Sequence, residues 1–241
     1  MKTEIRIPES DLNRQIQHDW SKIYELACRE LGIQQEKRDK VINLYLFLCG
    51  FLVPLVVNAG NLTPIIRGLI FLVAAIVGFL FTLIVIRYRV YKEVHWITCS
   101  TITKLPYLKP GKVTKENVQG MFLDSLQLRA KSFHSKKGGL SFLKFVWKNL
   151  FSAETFSLLV VALLSSIMLG LSIYLLFEPS FWAYFWGIGM LVYHLLSYMR
   201  ELFKVYQCVN PSLSENKRED HFNDAFKKAW FLHVYYEDAG L

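Results

Sequence analysis

Apolar and polar positions alternate along the 241 residues on two scales. On the coarse scale, four stretches hold no Asp, Glu, Lys or Arg: residues 41–66, 68–86, 155–177 and 179–199, with 26, 19, 23 and 21 residues. A helix that crosses ~30 Å of hydrocarbon at ~1.5 Å per residue needs about 20 residues. The pattern therefore predicts four transmembrane helices, paired as two hairpins by very short connections. On the fine scale, Leu12, Ile16, Trp20, Ile23, Ala27 and Leu31 follow Pro8, Glu9 and Ser10 at steps of three or four. That spacing predicts an amphipathic helix of about six turns ending near Gly32. Thr114 with Val118, Met121, Phe122 and Leu126 predicts a second polar-segment helix. Leu140, Leu143, Val146, Trp147 and Leu150 set against Ser141, Lys144 and Lys148 predict a third, lying flat in the membrane interface. Phe222, Phe226, Trp230 and His233 predict a fourth, beyond a break at Asn210-Pro211. Between Arg89 and the breakers Pro106, Pro110 and Gly111, the β-branched Ile97, Thr98, Thr101, Ile102 and Thr103 predict a strand or an irregular extension.

The fold class is thus an all-α membrane protein. It is organised as a cytoplasmic amphipathic helix (1–40), a transmembrane hairpin (41–86), a basic cytoplasmic loop with an interfacial helix (87–154), a second hairpin (155–199) and a cytoplasmic helical tail (200–241). A 53% hydrophobic composition and a mean hydropathy of +0.26 exclude an ordinary soluble enzyme, a disordered chain and a disulfide-framed secreted module. Charge adds orientation. Residues 87–154 hold thirteen Lys/Arg against four Asp/Glu, and the short connections hold only Arg67 and Glu178. Twenty-seven of the 28 positive residues then share one side, which positive-inside sorting makes the cytoplasm. Both termini are expected there, in an inner membrane, with the first span acting as signal anchor in place of a removable leader. Asn61-Leu62-Thr63 matches a glycosylation acceptor but lies in a short outer turn beside Pro64. Cys28, Cys49, Cys99 and Cys208 are scattered, without CxxC spacing, and reduced thiols are expected.

The spans carry only mild polar groups, among them Asn43, Asn58, Thr82, Ser165, Ser166, Ser172 and His194. Ion-coupled transport usually needs ionisable side chains at mid-membrane, and none is present. His194, about one turn from the cytoplasmic end, is expected to reach the headgroups. Ala162, Ser166 and Gly170 recur at four-residue steps, as do Ala74 and Gly78, which marks faces where another helix approaches closely, within one chain or between chains. Phe177, Phe181, Trp182, Tyr184, Phe185 and Trp186 around Glu178-Pro179 predict an outer aromatic belt. Pro54, Gly187 and Gly189 are candidate kinks.

On the cytoplasmic side, Lys136, Lys137, Lys144, Trp147 and Lys148 are expected to face anionic lipid. Trp20, Phe222, Phe226 and Trp230 are candidates for docking, with the tail meeting the amino-terminal helix or a protein partner. A nucleotide signal is the other cytoplasmic partner considered, and nucleic acid is disfavoured. Arg129 and His134 satisfy the loose Arg-x(4 to 6)-His spacing of HEPN ribonucleases, but Ala130 replaces the polar residue that often follows the Arg. His221 beside Asp220 and Asp224 lacks a second set of metal ligands. With no phosphate-loop, nucleophile-elbow or zinc-protease motif, no enzyme, cofactor or metal is expected.

The order of amphipathic helix (12–31), hairpin (41–86), basic stretch, hairpin (155–199) and terminal helix resembles small membrane proteins of prokaryotic antiviral systems. These include SLATT-like effectors, the Kiwa membrane subunit and membrane accessory proteins of CRISPR loci. The resemblance is architectural and carries no site residues over. It implies a non-enzymatic component that forms homo-oligomers and couples a cytoplasmic signal or partner to membrane sensing or pore formation. The competing reading is a four-span channel, transporter or membrane scaffold of ordinary physiology.

Overall fold

A computed structural model describes residues 9–104, 115–136, 138–177, 180–229 and 232, and side chains from residue 21 onward among them except at 115 and 180. Pro106, Pro110, Gly111, Thr114, Lys137, Glu178, Pro179, Trp230, His233 and the side chains of Leu12, Ile16 and Trp20 lie outside that description. Seven α-helices follow one another among the described residues: α1 (Glu9–Asn58), α2 (Pro64–Ile102), α3 (Lys115–Ala130), α4 (Phe142–Leu150), α5 (Ala153–Phe177), α6 (Ser180–Lys204) and α7 (Glu215–Lys228). Short 3-10 turns cover Lys131–Phe133 and Gln207–Val209. The all-helical expectation holds, and two boundaries are corrected. The amphipathic helix does not stop near Gly32, because α1 runs unbroken for 50 residues. A mid-helix glycine costs only about 1 kcal/mol, and the Gln, Glu, Lys and Arg residues that follow are good helix formers. The β-branched stretch at 97–103 is no strand either. α2 continues to Ile102, and the hydroxyls of Thr98 and Thr101 fold back onto the Val94 and Ile97 carbonyls at 3.0 and 2.9 Å. A threonine that spends its hydroxyl this way tolerates the helix its branching disfavours.

The described residues group into two units: one drawn from Met1–Ile33, Tyr91–Leu140 and Val205–Leu241, the other from Gln34–Val90 and Ser141–Lys204. The second unit contains the charge-free stretches. Three helices, α1 over Ser21–Asn58, α2 and α5, are long and apolar enough to cross a membrane. α6 has the length, with 25 residues, but Trp182, Tyr184, Trp186, Tyr193, His194 and Tyr198 keep its apolarity below theirs. Large apolar side chains project outward along all four helices, including Phe47, Phe51, Val73, Phe156, Phe185 and Ile188, each more than half exposed. Water penalises such a surface and hydrocarbon does not.

Small residues set the packing inside this unit. Tyr45 of α1 is fully buried, and its hydroxyl donates to the Ala74 carbonyl at 3.1 Å, lying over the bare face of Gly78. Ser165 of α5 donates to the Ala75 carbonyl at 3.0 Å. On the other flank, the Gly187 backbone of α6 sits against the Ser166 carbonyl, and Gly170 against the Ala183 carbonyl. Arg89 and Glu154 pair at 2.5 Å, and the Arg67 guanidinium donates to the Ala59 carbonyl at 2.7 Å, just past the end of α1. His194 does not reach outward as the sequence suggests. It is fully buried, tilted against the Phe79 ring at 5.1 Å and edge-on to Tyr193 at 5.9 Å.

A Cβ at Gly78 would overlap both the Tyr45 ring and Ser165 Cβ. Gly78→Ala should therefore lower the thermal midpoint in detergent by the equivalent of about 1–3 kcal/mol, the usual cost of overpacking. Gly50→Ala, with nothing within 4 Å, should leave it unchanged or raise it. Equal behaviour of the two variants in a melting experiment would contradict this packing.

Candidate functional site

The first unit is organised around one buried carboxylate. Glu93, on the polar end of α2, is 2% exposed. A lone carboxylate so buried would be expelled or neutralised unless paired and hydrogen-bonded. Two partners meet it. The Arg129 guanidinium of α3 forks onto both oxygens, Nε to Oε1 and an Nη to Oε2 at 3.3 Å, while the Tyr206 hydroxyl donates to Oε1. The flat face of the same guanidinium covers the Trp96 ring, 3.9 Å from its centroid. Burial works against the Arg129 charge, but the Glu93 carboxylate outweighs it and holds the proton more tightly than usual. Burial, then the neighbouring carboxylate, push the Tyr206 phenol well above its ordinary range, so it stays a donor. The Phe133 ring meets Tyr206 edge-on at 5.4 Å, and Phe122 takes Phe222 and Phe226 edge-on at 6.1 and 5.5 Å.

This frame fixes one face of α3 and leaves another open. Leu123, Asp124, Gln127, Leu128 and Lys131 line a cleft of about 620 Å³, completed by His134, Cys208, Val209, Pro211 and Arg218. Beyond His134 the chain turns at Gly138, whose φ of +87° glycine adopts without strain. The Ser135 amide closes the turn onto the Gly139 carbonyl at 2.7 Å, and His134 bridges to Leu140. Asn210 ties that turn to the segment after α6. Its Oδ1 accepts from the Ser212 amide and hydroxyl at 3.2 and 2.5 Å and from the Leu140 amide at 3.5 Å.

Lys131, His134 and Arg218 bring basic groups to the cleft, Gln127 an amide and Asp124 one carboxylate. Among the described residues, Arg218 Nε is buried without a hydrogen-bond partner. Such a lining suits an anion-bearing ligand and offers no activated nucleophile. The Cys208 thiol donates to the Val205 carbonyl at 3.4 Å and is pushed up to about 12 by burial. Of the Arg129 and His134 pair, Arg129 is bonded to Glu93, while His134 lines the cleft. Among the described residues no His, Cys, Asp and Glu group is placed to hold a metal, and Asp224 pairs with Lys228 at 2.5 Å.

The other sequence candidates fall as follows. Ser166, Gly170, Ala74 and Gly78 make the helix contacts above, Ala162 is fully buried, and Ser166 and Gly170 also border a groove of about 450 Å³. In α4, Phe145 is buried against Phe203 at 5.2 Å, while Leu143 and Trp147, and Phe151 just past its end, are 80%, 73% and 81% exposed. Lys136, Lys144 and Lys148 are exposed, and Ser141 caps α4 by accepting from the Lys144 amide at 3.3 Å. Phe226 is buried on Phe122 of α3, and Phe222 is half-buried beside it. Trp20 as a side chain, Trp230 and Lys137 lie outside the described residues. Glu93 and Tyr206 are not among the residues the sequence pattern singles out. One signal was available: Glu93 is the only acid between Ile86 and Lys115. No known protein family, curated protein or solved structure matches the chain.

Glu93→Ala would leave the Arg129 charge without its carboxylate. Because 34% of that side chain stays exposed, the loss of stability should lie near the low end for a broken buried pair, about 3 kcal/mol. Glu93→Ala with Arg129→Met should recover part of it in a double-mutant cycle followed by denaturant unfolding. Strictly additive losses would mean that the pair is not coupled.

Proposed function

We propose that the chain is a non-enzymatic integral membrane component that receives a cytoplasmic signal or partner through its first unit and passes it to the membrane. One observation carries this reading: α2 is common to both units. Its apolar part, with Ala74 and Gly78, belongs to the second unit, and its polar end supplies Glu93 to the first. That helix is continuous from Pro64 to Ile102, a covalent path from one unit to the other.

In this reading α6 completes two hairpins with α1, α2 and α5. The exposed rings of Phe181, Trp182, Tyr184, Phe185 and Trp186 support that placement, because amphipathic aromatics favour the headgroup layer. Both termini and the basic segment lie in the cytoplasm of a cell whose inner membrane holds the protein, as the sorting of cations supports. α4 rests in the interface, with the exposed Leu143, Trp147 and Phe151 in lipid and Lys144 and Lys148 near anionic headgroups. Copies associate along the groove beside Ser166 and Gly170, and the assembled membrane part senses or perturbs the bilayer. Antiviral defence is the setting suggested by the architectural resemblance. The channel or transporter reading has less support, since Leu163, Ile167, Leu171, Ile188 and Leu191 give that groove an apolar lining suited to acyl chains or another helix.

Orientation is tested by single cysteines in a cysteine-free background. With a membrane-impermeant maleimide on intact cells, Asn61→Cys should label, and Lys131→Cys should label only after permeabilisation. Labelling of Lys131→Cys in intact cells would overturn the orientation. The receiving site is tested with ATP as a phosphate-rich probe: it should raise the melting temperature of the purified protein, and Lys131→Glu with Arg218→Glu should abolish the shift. A shift that survives the double charge reversal would exclude this cleft as the binding site.

A further inference from the structure

Cys28 and Cys99 lie 71 positions apart in sequence, one on α1 and one on α2, yet their sulfurs are 3.8 Å apart within the first unit. They are the two cysteines that solvent can reach: Cys28 is exposed and Cys99 half-exposed, whereas Cys49 and Cys208 are buried. A disulfide needs the sulfurs at about 2.05 Å, so they have to close by less than about 2 Å, a distance that side-chain rotation and slight helix movement cover. Neither thiol is needed by the Glu93 cluster or lines the cleft, and no metal-ligand group forms around them among the described residues.

We propose that Cys28 and Cys99 are a redox modification site, which a low-molecular-weight disulfide of the glutathione class converts into an internal disulfide joining α1 to α2. The exposed Cys28 thiolate attacks one sulfur of the small disulfide and expels the first thiol, leaving a mixed disulfide on Cys28. The Cys99 thiolate attacks the Cys28 sulfur and expels the second. Two protein thiols are oxidised to one disulfide, one external disulfide is reduced to two thiols, and the two protein protons leave with them. A reducing cytoplasm returns the pair to the dithiol, so the bond accumulates only under oxidising conditions. The linkage ties the amino-terminal part of α1 to the end of α2 that bears Glu93 and Trp96.

The test uses the full chain in detergent, equilibrated with graded ratios of oxidised to reduced glutathione, acid-quenched and alkylated with N-ethylmaleimide. Intact mass spectrometry should show loss of two of the four alkylatable thiols and a monomer about 2 Da lighter before alkylation. Unreduced peptide mapping should link residue 28 to residue 99, and dithiothreitol should reverse both signals. Cys28→Ser and Cys99→Ser should each retain helical circular dichroism, lose the internal bond and carry a glutathione adduct on the remaining thiol. The proposal is overturned if both thiols stay alkylatable at every ratio. It is equally overturned if the bond joins two chains or recruits Cys49 or Cys208.

Discussion

A backbone amide or hydroxyl that meets hydrocarbon without a partner costs several kcal/mol, and that penalty governs most of what the second unit does. Several of its buried hydroxyls turn to a backbone carbonyl. Thr82 and Ser166 fold back onto Gly78 and Ala162 of their own helices, and Tyr45 and Ser165 reach across to Ala74 and Ala75. The cross-helix pair is possible only because Ala74, Ala75 and Gly78 keep that face of α2 low. The small residues thus serve hydrogen bonding as much as close approach. The large apolar side chains, with no such need, are left on the outside.

The first unit meets the opposite problem. It is rich in charge, and its stable core depends on withdrawing one charge of each sign from water. Glu93 is held by a fork from Arg129 and by the Tyr206 hydroxyl, with Trp96 beneath the guanidinium. A bidentate Arg contact stacked on an aromatic face is one that Lys does not reproduce. With α3 pinned on this side by Glu93 and on another by Phe222 and Phe226, its remaining face is free to line the cleft beside Arg218.

Much of this was legible in the sequence, and the exceptions share a cause. Val118, Phe122 and Leu126 repeat at helical spacing and are all fully buried, because burial of one helix face leaves a local trace. The Glu93 cluster leaves no periodic trace, since Arg129 and Tyr206 stand 36 and 113 positions from Glu93. The cleft is hidden for the same reason, with walls that come from α3, His134, the segment around Cys208 and Arg218 of α7. Two local readings also failed on local grounds. Gly32 reads as a stop, but nothing beyond it competes with helix. Ile97 to Thr103 reads as extended, but two threonine hydroxyls found carbonyls within their own turn. His194 reads as a residue near the water, yet the rings of Phe79 and Tyr193 enclose it.

The charge-free stretches have an electrical corollary. An elementary charge moved through a full membrane potential of 100 mV gains or loses about 2.3 kcal/mol, and a voltage sensor works by carrying several such charges through the field. Within 41–66, 68–86, 155–177 and 179–199 there is none to carry, and Arg67, between the first two, is tethered to the Ala59 carbonyl. A displacement of these stretches through a membrane field would therefore carry no formal side-chain charge with it.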